Sequence, residues 1–217
     1  MDSTRLFTAI LTLITATYFT FTLVTGLPRT PAGLTEPPPL SSTLPYISGV
    51  SARPDVPGYS RERFGDGWAQ SGTCTVRHDV MRAQLSAQLS DDCRHSSGSA
   101  EDPYRSALLS PDTPIEIDHV IPLSAAWDLG AHAWTDSDRA RFANDPLNLI
   151  ATSRELNQEK SDQLPSQWMP PRKSARCFYA RRVAHVAATY SLPLPQADRL
   201  RMRQACLVRE LVPMAIG

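Results

Sequence analysis

An aspartate and a histidine stand side by side in the stretch EIDHVIPL, among apolar and β-branched residues. Burying ionisable side chains in a strand costs free energy, so this pair indicates either a chemical role or a structural hydrogen bond. A histidine whose pKa is near neutral can take a proton from water, and a carboxylate can bind a metal ion. Since adjacent strand side chains point to opposite faces, we expect Asp118 and His119 to do different jobs.

Further polar residues follow in an order that suits the same chemistry. Asn148 lies in NDPLNL, and Asn157 and Lys160 lie one helical turn apart in NQEK. One carboxylate and one amide oxygen form a ligand pair that suits Mg²⁺ or Mn²⁺. Glu116, two residues before Asp118, is either a further carboxylate near such an ion or a solvated strand residue.

The motifs DHVIPL, NDPLNL and NQEK, taken in this order, resemble the HNH endonuclease family. More narrowly, they resemble its exported branch, which is similar to the C-terminal domain of GmrSD; Trp168 and Pro170 match a further signature of that branch. The resemblance extends more weakly from about Tyr59 to Cys206. It implies an α+β fold in which two short strands and a helix grip one divalent cation, wrapped by further helices and stapled by disulfides.

The resemblance also implies a role for each motif residue. His119 is expected to act as the general base, with Asp118 and Asn157 as metal ligands and Asn148 as the residue that orients the histidine. For Lys160, a phosphate contact and a structural ion pair are both open. The family pattern has a second histidine where Asn157 stands here, which favours a hard metal over zinc.

The expected activity is metal-dependent hydrolysis of phosphodiester bonds, with Mg²⁺ or Mn²⁺ as the cofactor and no small-molecule cofactor. DNA is favoured over RNA as the nucleic-acid partner, with little sequence specificity. An alternative is a catalytically silent exported module that kept the fold and binds nucleic acid or the cell envelope.

The elements that must position these residues can be read from the flanking pattern. Pro114 and Pro122 bound a strand of alternating isoleucine and polar residues, and PLNLIAT predicts a second strand. Thr152 with Glu155 three residues on predicts a capped helix start. That helix would carry Asn157 and Lys160.

The chain divides into four segments by composition. Residues 1–27 have one early arginine and then an apolar run from 6 to 27, which predicts a signal peptide or a membrane anchor. Residues 28–57 are rich in proline and small polar residues and are predicted to be an extended linker. The nuclease-like domain is expected over 58–211, followed by a tail, 212–217.

The four cysteines are expected to be paired, because an exported chain matures in an oxidising compartment. Three connectivities are open to four cysteines. The pairs closest in sequence are Cys74 with Cys93 and Cys177 with Cys206, while zinc binding is the rival for which no typical spacing is present.

Charge gives a weaker signal. Acidic and basic residues number 22 each, so the chain as a whole has no electrostatic bias towards a polyanion. Residues 101–153 hold nine acidic residues and three arginines, whereas residues 154–217 hold eleven basic and five acidic residues. This asymmetry fits a metal site beside a phosphate-binding surface, and it equally fits ordinary solvated helix faces.

Overall fold

Helices are the main elements of the computed structural model, which describes residues 3–25, 30–86, 88–89 and 93–211. The predicted tail, 212–217, falls outside these residues. The helices are α1 (Ser3–Thr25), α2 (Leu40–Thr43), α3 (Val76–Leu85), α4 (Leu123–Asp128), α5 (Asp136–Asn144), α6 (Arg154–Lys160), α7 (Arg176–Thr189) and α8 (Gln196–Leu211).

The strands are short and form two-stranded sheets within the described residues. They are β1 (Gly49–Val50), β2 (Gln70–Ser71), β3 (Cys74–Thr75), β4 (Gln88–Leu89), β5 (His95–Ser97), β6 (Ala100–Glu101), β7 (Leu108–Leu109), β8 (Ile115–His119), β9 (Leu149–Ser153) and β10 (Leu194–Pro195). Single 3₁₀ turns occupy Leu44–Tyr46, Arg61–Phe64, Ala131–Ala133, Pro146–Asn148 and Lys173–Ala175. The α+β class predicted from the sequence is confirmed.

The longest sheet pairs β8 with β9, and it carries the Asp-His motif at one end. The two strands run antiparallel, with Ile115 opposite Ser153 and His119 opposite Leu149. Ile115 and Ile117 point to one face of β8, where they join a small apolar cluster with side chains of α3. By alternation, Asp118 points to the other face, so the two motif residues are presented on opposite sides.

A helix packs against each side of this hairpin. Gln84 of α3 closes one edge, since its amide donates to the carbonyl of Leu149 and its oxygen accepts from the N–H of Ala151. On the other face, α6 follows β9 directly, with Leu156 and Lys160 buried. The hairpin of β8 and β9 and the helix α6 therefore meet at the Asp-His end of β8.

The main core is built on α7, which is buried over most of its length. Helix α8 packs beside it, and the disulfide Cys177–Cys206 joins the two, with the Cα atoms 4.6 Å apart. The second disulfide, Cys74–Cys93, links the start of β3 to the loop before β5. The two sequence-local pairings are therefore the ones formed.

The proline-rich segment 30–57 differs from the predicted linker, because it lies against the domain. Leu40, Leu44 and Ile47 are buried in the main core, and β1 pairs in parallel with β10. The guanidinium of Arg181, itself buried, donates to the carbonyl oxygens of Pro37 and Pro38 and pairs with Glu36. Proline has no N–H to donate to a sheet, but the carbonyl oxygens of Pro37 and Pro38 accept hydrogen bonds from Arg181.

A core substitution in this segment should therefore destabilise the whole domain. Leu44→Ala is expected to lower the free energy of unfolding by about 3 kcal/mol, because it leaves a cavity in a packed core. Tyr46→Ala, in the same turn but at a side chain 87% exposed, should have little effect. Denaturant unfolding of both variants measures the difference, and equal stabilities would restore the linker interpretation.

Towards the N-terminus from this segment, α1 covers most of the apolar run predicted to be a signal peptide or an anchor. Among the residues that the structure describes, no helix combines the length and the hydropathy needed to cross a membrane.

Candidate active site

An open cleft of about 580 Å³ lies at the end of β8, between α6 and the segment before β2. It brings together three of the predicted site residues, Asp118, His119 and Asn157, and it adds Glu116. Asn148 and Lys160 do not line the cleft. They lie behind it, where each fixes the backbone that carries His119.

The imidazole of His119 is held in one orientation from two sides. Its Nε2 lies 2.8 Å from the carbonyl oxygen of Ala143, at the end of α5. A carbonyl only accepts hydrogen bonds, so Nε2 carries the proton and Nδ1 is the ring nitrogen left to accept one. Trp68 stacks in parallel on the same ring, with centroids 5.6 Å apart and planes 4° apart.

Burial lowers the pKa of His119 from 6.5 to about 4. The hydrogen bond to Ala143 opposes this shift, while the positive charges of Arg61 and Lys160 add to it. The ring is therefore neutral near pH 7, which is the protonation state that a general base requires.

This pKa makes the stability of the protein depend on pH. Below pH 6.5 the unfolded chain binds a proton at His119 that the folded chain does not, so the stabilisation is complete above pH 6.5 and is lost towards pH 4. We expect His119 alone to lower the free energy of unfolding by about 3 kcal/mol between pH 7 and pH 4. Urea unfolding of the wild type and His119→Gln across this range tests it, and parallel pH profiles would contradict it.

Asn148 fixes the backbone just beyond His119. Its side-chain oxygen accepts from the N–H of Ile121 at 2.8 Å, and its amide nitrogen donates to the carbonyl of Ile121 at 3.2 Å. Its own carbonyl accepts from Val120. The side chain is completely buried. Asn148 thus ties β8 to the turn before β9 and sets the exit direction of the histidine strand.

Asp118 and Lys160 form a buried ion pair, which is one of the two roles that the sequence leaves open for Lys160. The Lys160 ammonium donates to Asp118 Oδ1 and to the carbonyl of His119, both at 2.8 Å, and Tyr104 donates to Asp118 Oδ2 at 2.6 Å. Burial raises the pKa of Asp118, and the Lys160 charge opposes that rise. Lys160 is fully buried, so in this arrangement it is the structural ion pair rather than the phosphate contact.

Glu116 and Asn157 form a second polar pair nearer the surface. The amide nitrogen of Asn157 donates to Glu116 Oε2 at 2.7 Å, while Arg154 pairs with Oε1 at 2.9 Å. The contacts of the described residues leave Asn157 Oδ1 without a donor. Two oxygen-bearing groups from β8 and α6 are therefore side by side at the cleft, and both are hard ligands of the kind that Mg²⁺ and Mn²⁺ prefer.

The positive charge at the cleft comes from an unexpected part of the chain. Among the lining residues, Arg61 and Arg77 are the cations, and neither belongs to the basic segment 154–217. Several arginines of that segment instead donate to backbone carbonyls: Arg176 to Pro170, Arg182 to Pro146, and Arg199 to Ile47. For these three arginines, the positive charge serves packing rather than a binding surface.

Three contributors had no signal in the sequence. Tyr104 lies in a polar, irregular stretch, and Trp68 and Arg61 precede the first motif by about fifty residues. A tryptophan in a glycine-rich loop has no periodicity that would mark it as a histidine neighbour. Among the described residues, one cluster has the types and spacing of zinc ligands: Cys74, His78 and Cys93. Its two sulfurs are bonded to each other as a disulfide and are therefore not thiolate ligands.

Comparison with known families places the chain in a nuclease-type family. Residues 60–209 match the family described as GmrSD restriction endonucleases, C-terminal domain, and the chain belongs to this family. The matched range starts just before Arg61 and ends within α8, so it includes every residue that lines the cleft except Tyr59.

A relative is known from a fungus. The chain is 41% identical over 178 residues to a protein of Arthroderma benhamiae named "Uncharacterized secreted protein". The matched region covers 78% of this chain and 87% of the relative. No solved structure matches the chain. The two disulfides and the secreted relative agree with an extracytoplasmic location, where such bonds persist.

Proposed function

We propose that this protein is an endonuclease that uses Mg²⁺ or Mn²⁺ to hydrolyse phosphodiester bonds, with DNA as the preferred substrate. The observation that carries the proposal is the His119 ring, which lines the cleft in a neutral state with one nitrogen tied to Ala143. A fixed neutral imidazole beside oxygen ligands and arginines suits hydrolysis of a phosphate ester. Membership of a restriction endonuclease family supports the same reaction class.

In the reaction, His119 would take a proton from the attacking water through Nδ1. Ala143 and Trp68 keep the ring from rotating, which holds the base in one position relative to the bound phosphate. Asn148 acts one step further away, because it fixes the strand exit from which the ring projects. The low pKa costs some basicity but keeps the ring neutral over a wide pH range.

The residues present suit a hard divalent cation. Asn157 provides an amide oxygen, and Glu116 and Asp118 bring two strand carboxylates to the same face of β8. A cation bound there would supply charge stabilisation for the phosphoryl oxygens and the leaving oxygen.

The phosphate backbone would be held by Arg61 and Arg77. Arg77 is anchored by a bond to the carbonyl of Ile115, while Arg61 is exposed at the cleft edge. Contacts of this kind position a nucleic acid without reading its sequence, so cleavage should show little sequence preference and should weaken as salt rises.

The test uses the full-length oxidised chain, stripped of metal, with supercoiled plasmid. Nicking that appears with Mg²⁺ or Mn²⁺ and disappears with a chelator supports the proposal. A parallel incubation with single-stranded RNA decides the substrate preference. A folded, disulfide-bonded sample that cuts neither substrate with any divalent ion would overturn the proposal and favour the silent binding module.

A further inference from the structure

We infer that Glu116, not Asp118, is the strand carboxylate that binds the divalent cation together with Asn157, and that Asp118 positions His119 instead. The inference rests on the proposed function for the presence of a cation. It differs from the ligand set that the family resemblance implies. The reason lies in how deeply each carboxylate is set behind the cleft.

Asp118 is already engaged by donors that cannot easily leave. Each of its oxygens accepts a hydrogen bond from a fully or almost fully buried group, one from Lys160 and one from Tyr104. A dication on either oxygen would sit next to the buried Lys160 ammonium. Repulsion between such charges is strong where water is excluded, so this position disfavours a cation.

Glu116 has the opposite setting. Its side chain is 29% exposed, and its ionic partner, Arg154, is 59% exposed. A solvent-exposed pair of this kind contributes little free energy, so a cation can replace the arginine at small cost. The amide nitrogen of Asn157 donates to Glu116, so the carboxylate and the amide group lie side by side, and the amide oxygen is the Asn157 atom left to bind a cation.

The ion pair behind the cleft then has a different task. Lys160 bonds the Asp118 carboxylate and the main-chain carbonyl of His119 at the same time. It therefore ties the last residue of β8 to the end of α6, the helix that carries Asn157. In this arrangement Asp118 is a positioning residue, because it acts on the base and on the amide ligand through Lys160.

The experiment titrates Mn²⁺ into the metal-free, oxidised full-length chain and measures free Mn²⁺ by electron paramagnetic resonance. Glu116→Gln should weaken Mn²⁺ binding at least tenfold. The matched control is Glu155→Gln, on the first turn of α6 at a side chain 72% exposed, and it should bind as the wild type does. Asp118→Asn, where circular dichroism shows it folded, should bind within threefold of the wild type.

Wild-type affinity in Glu116→Gln would overturn the inference, and so would a folded Asp118→Asn that loses the ion. If Asp118→Asn does not fold, the two glutamate variants decide alone. No binding by the wild type also overturns it. Plasmid nicking is scored separately: binding that depends on Glu116 without any nicking refutes the nuclease and keeps the site, whereas nicking with normal binding in Glu116→Gln refutes the site and keeps the nuclease.

Discussion

His119→Ala is expected to slow metal-dependent plasmid nicking by about 10²–10⁴-fold, the range that a positioned general base contributes. The structure gives the reason in atomic terms, since Nε2 is bound to Ala143 and leaves Nδ1 as the proton acceptor. The described side chains around the cleft provide no second imidazole to replace it. The measurement is the initial rate of conversion of supercoiled plasmid to the nicked form.

Two controls separate a lost base from a damaged protein. His132→Ala removes an exposed histidine whose ring bonds the carbonyl of Trp127, outside the cleft, and should nick at the wild-type rate. His119→Ala itself should keep its affinity for Mn²⁺, because the histidine is not among the proposed ligands. Nicking by His119→Ala at the rate of His132→Ala would refute the role of His119 as the base.

Local pattern predicted the strand, the second strand and the following helix, because all three depend on neighbours in sequence. The alternating run before Asp118 and His119 forms β8, and Asn157, to which the family resemblance gives a ligand role, lines the cleft. The pairing of the cysteines could also be predicted, since each disulfide joins the two cysteines that are closest in sequence. These features need no knowledge of distant contacts.

The errors share one cause, which is a partner far away in the chain. Thr152 was expected to cap α6, but its hydroxyl donates to the buried carboxylate of Asp102, and Ser153 is the N-cap. Composition made the proline-rich segment 28–57 look like a linker, because nothing near it shows that Arg181 binds its carbonyls. A tertiary hydrogen bond overrides local preference in both cases.

The sequence also does not show how deeply each site side chain is buried behind the cleft. Helical spacing places Asn157 and Lys160 one turn apart, but it does not say that one reaches the cleft and the other is fully buried. Strand alternation likewise puts Glu116 and Asp118 on one face without ranking their exposure. Tyr104, which closes over Asp118, comes from a loop that no periodicity connects to β8.

Lys160→Met is expected to lower the free energy of unfolding by about 3–5 kcal/mol, because it leaves the Asp118 carboxylate buried and unpaired. The substitution also removes the hydrogen bond to the carbonyl oxygen of His119, so two buried acceptors lose their donor at once. Urea unfolding at pH 7 measures the change. Lys173→Met is the matched control: it makes the same substitution at the only other lysine, which is exposed, and should change stability little.

A double variant tests whether the cost comes from the charge rather than from lost packing. Asp118→Asn in the Lys160→Met background removes the buried charge, while Tyr104 can still donate to the amide oxygen. The double variant should therefore be more stable than Lys160→Met alone, with a coupling free energy that a double-mutant cycle isolates. Equal stability of Lys160→Met and Lys173→Met would show that the pair contributes nothing. A double variant less stable than Lys160→Met would show that packing, not the unpaired carboxylate, sets the cost.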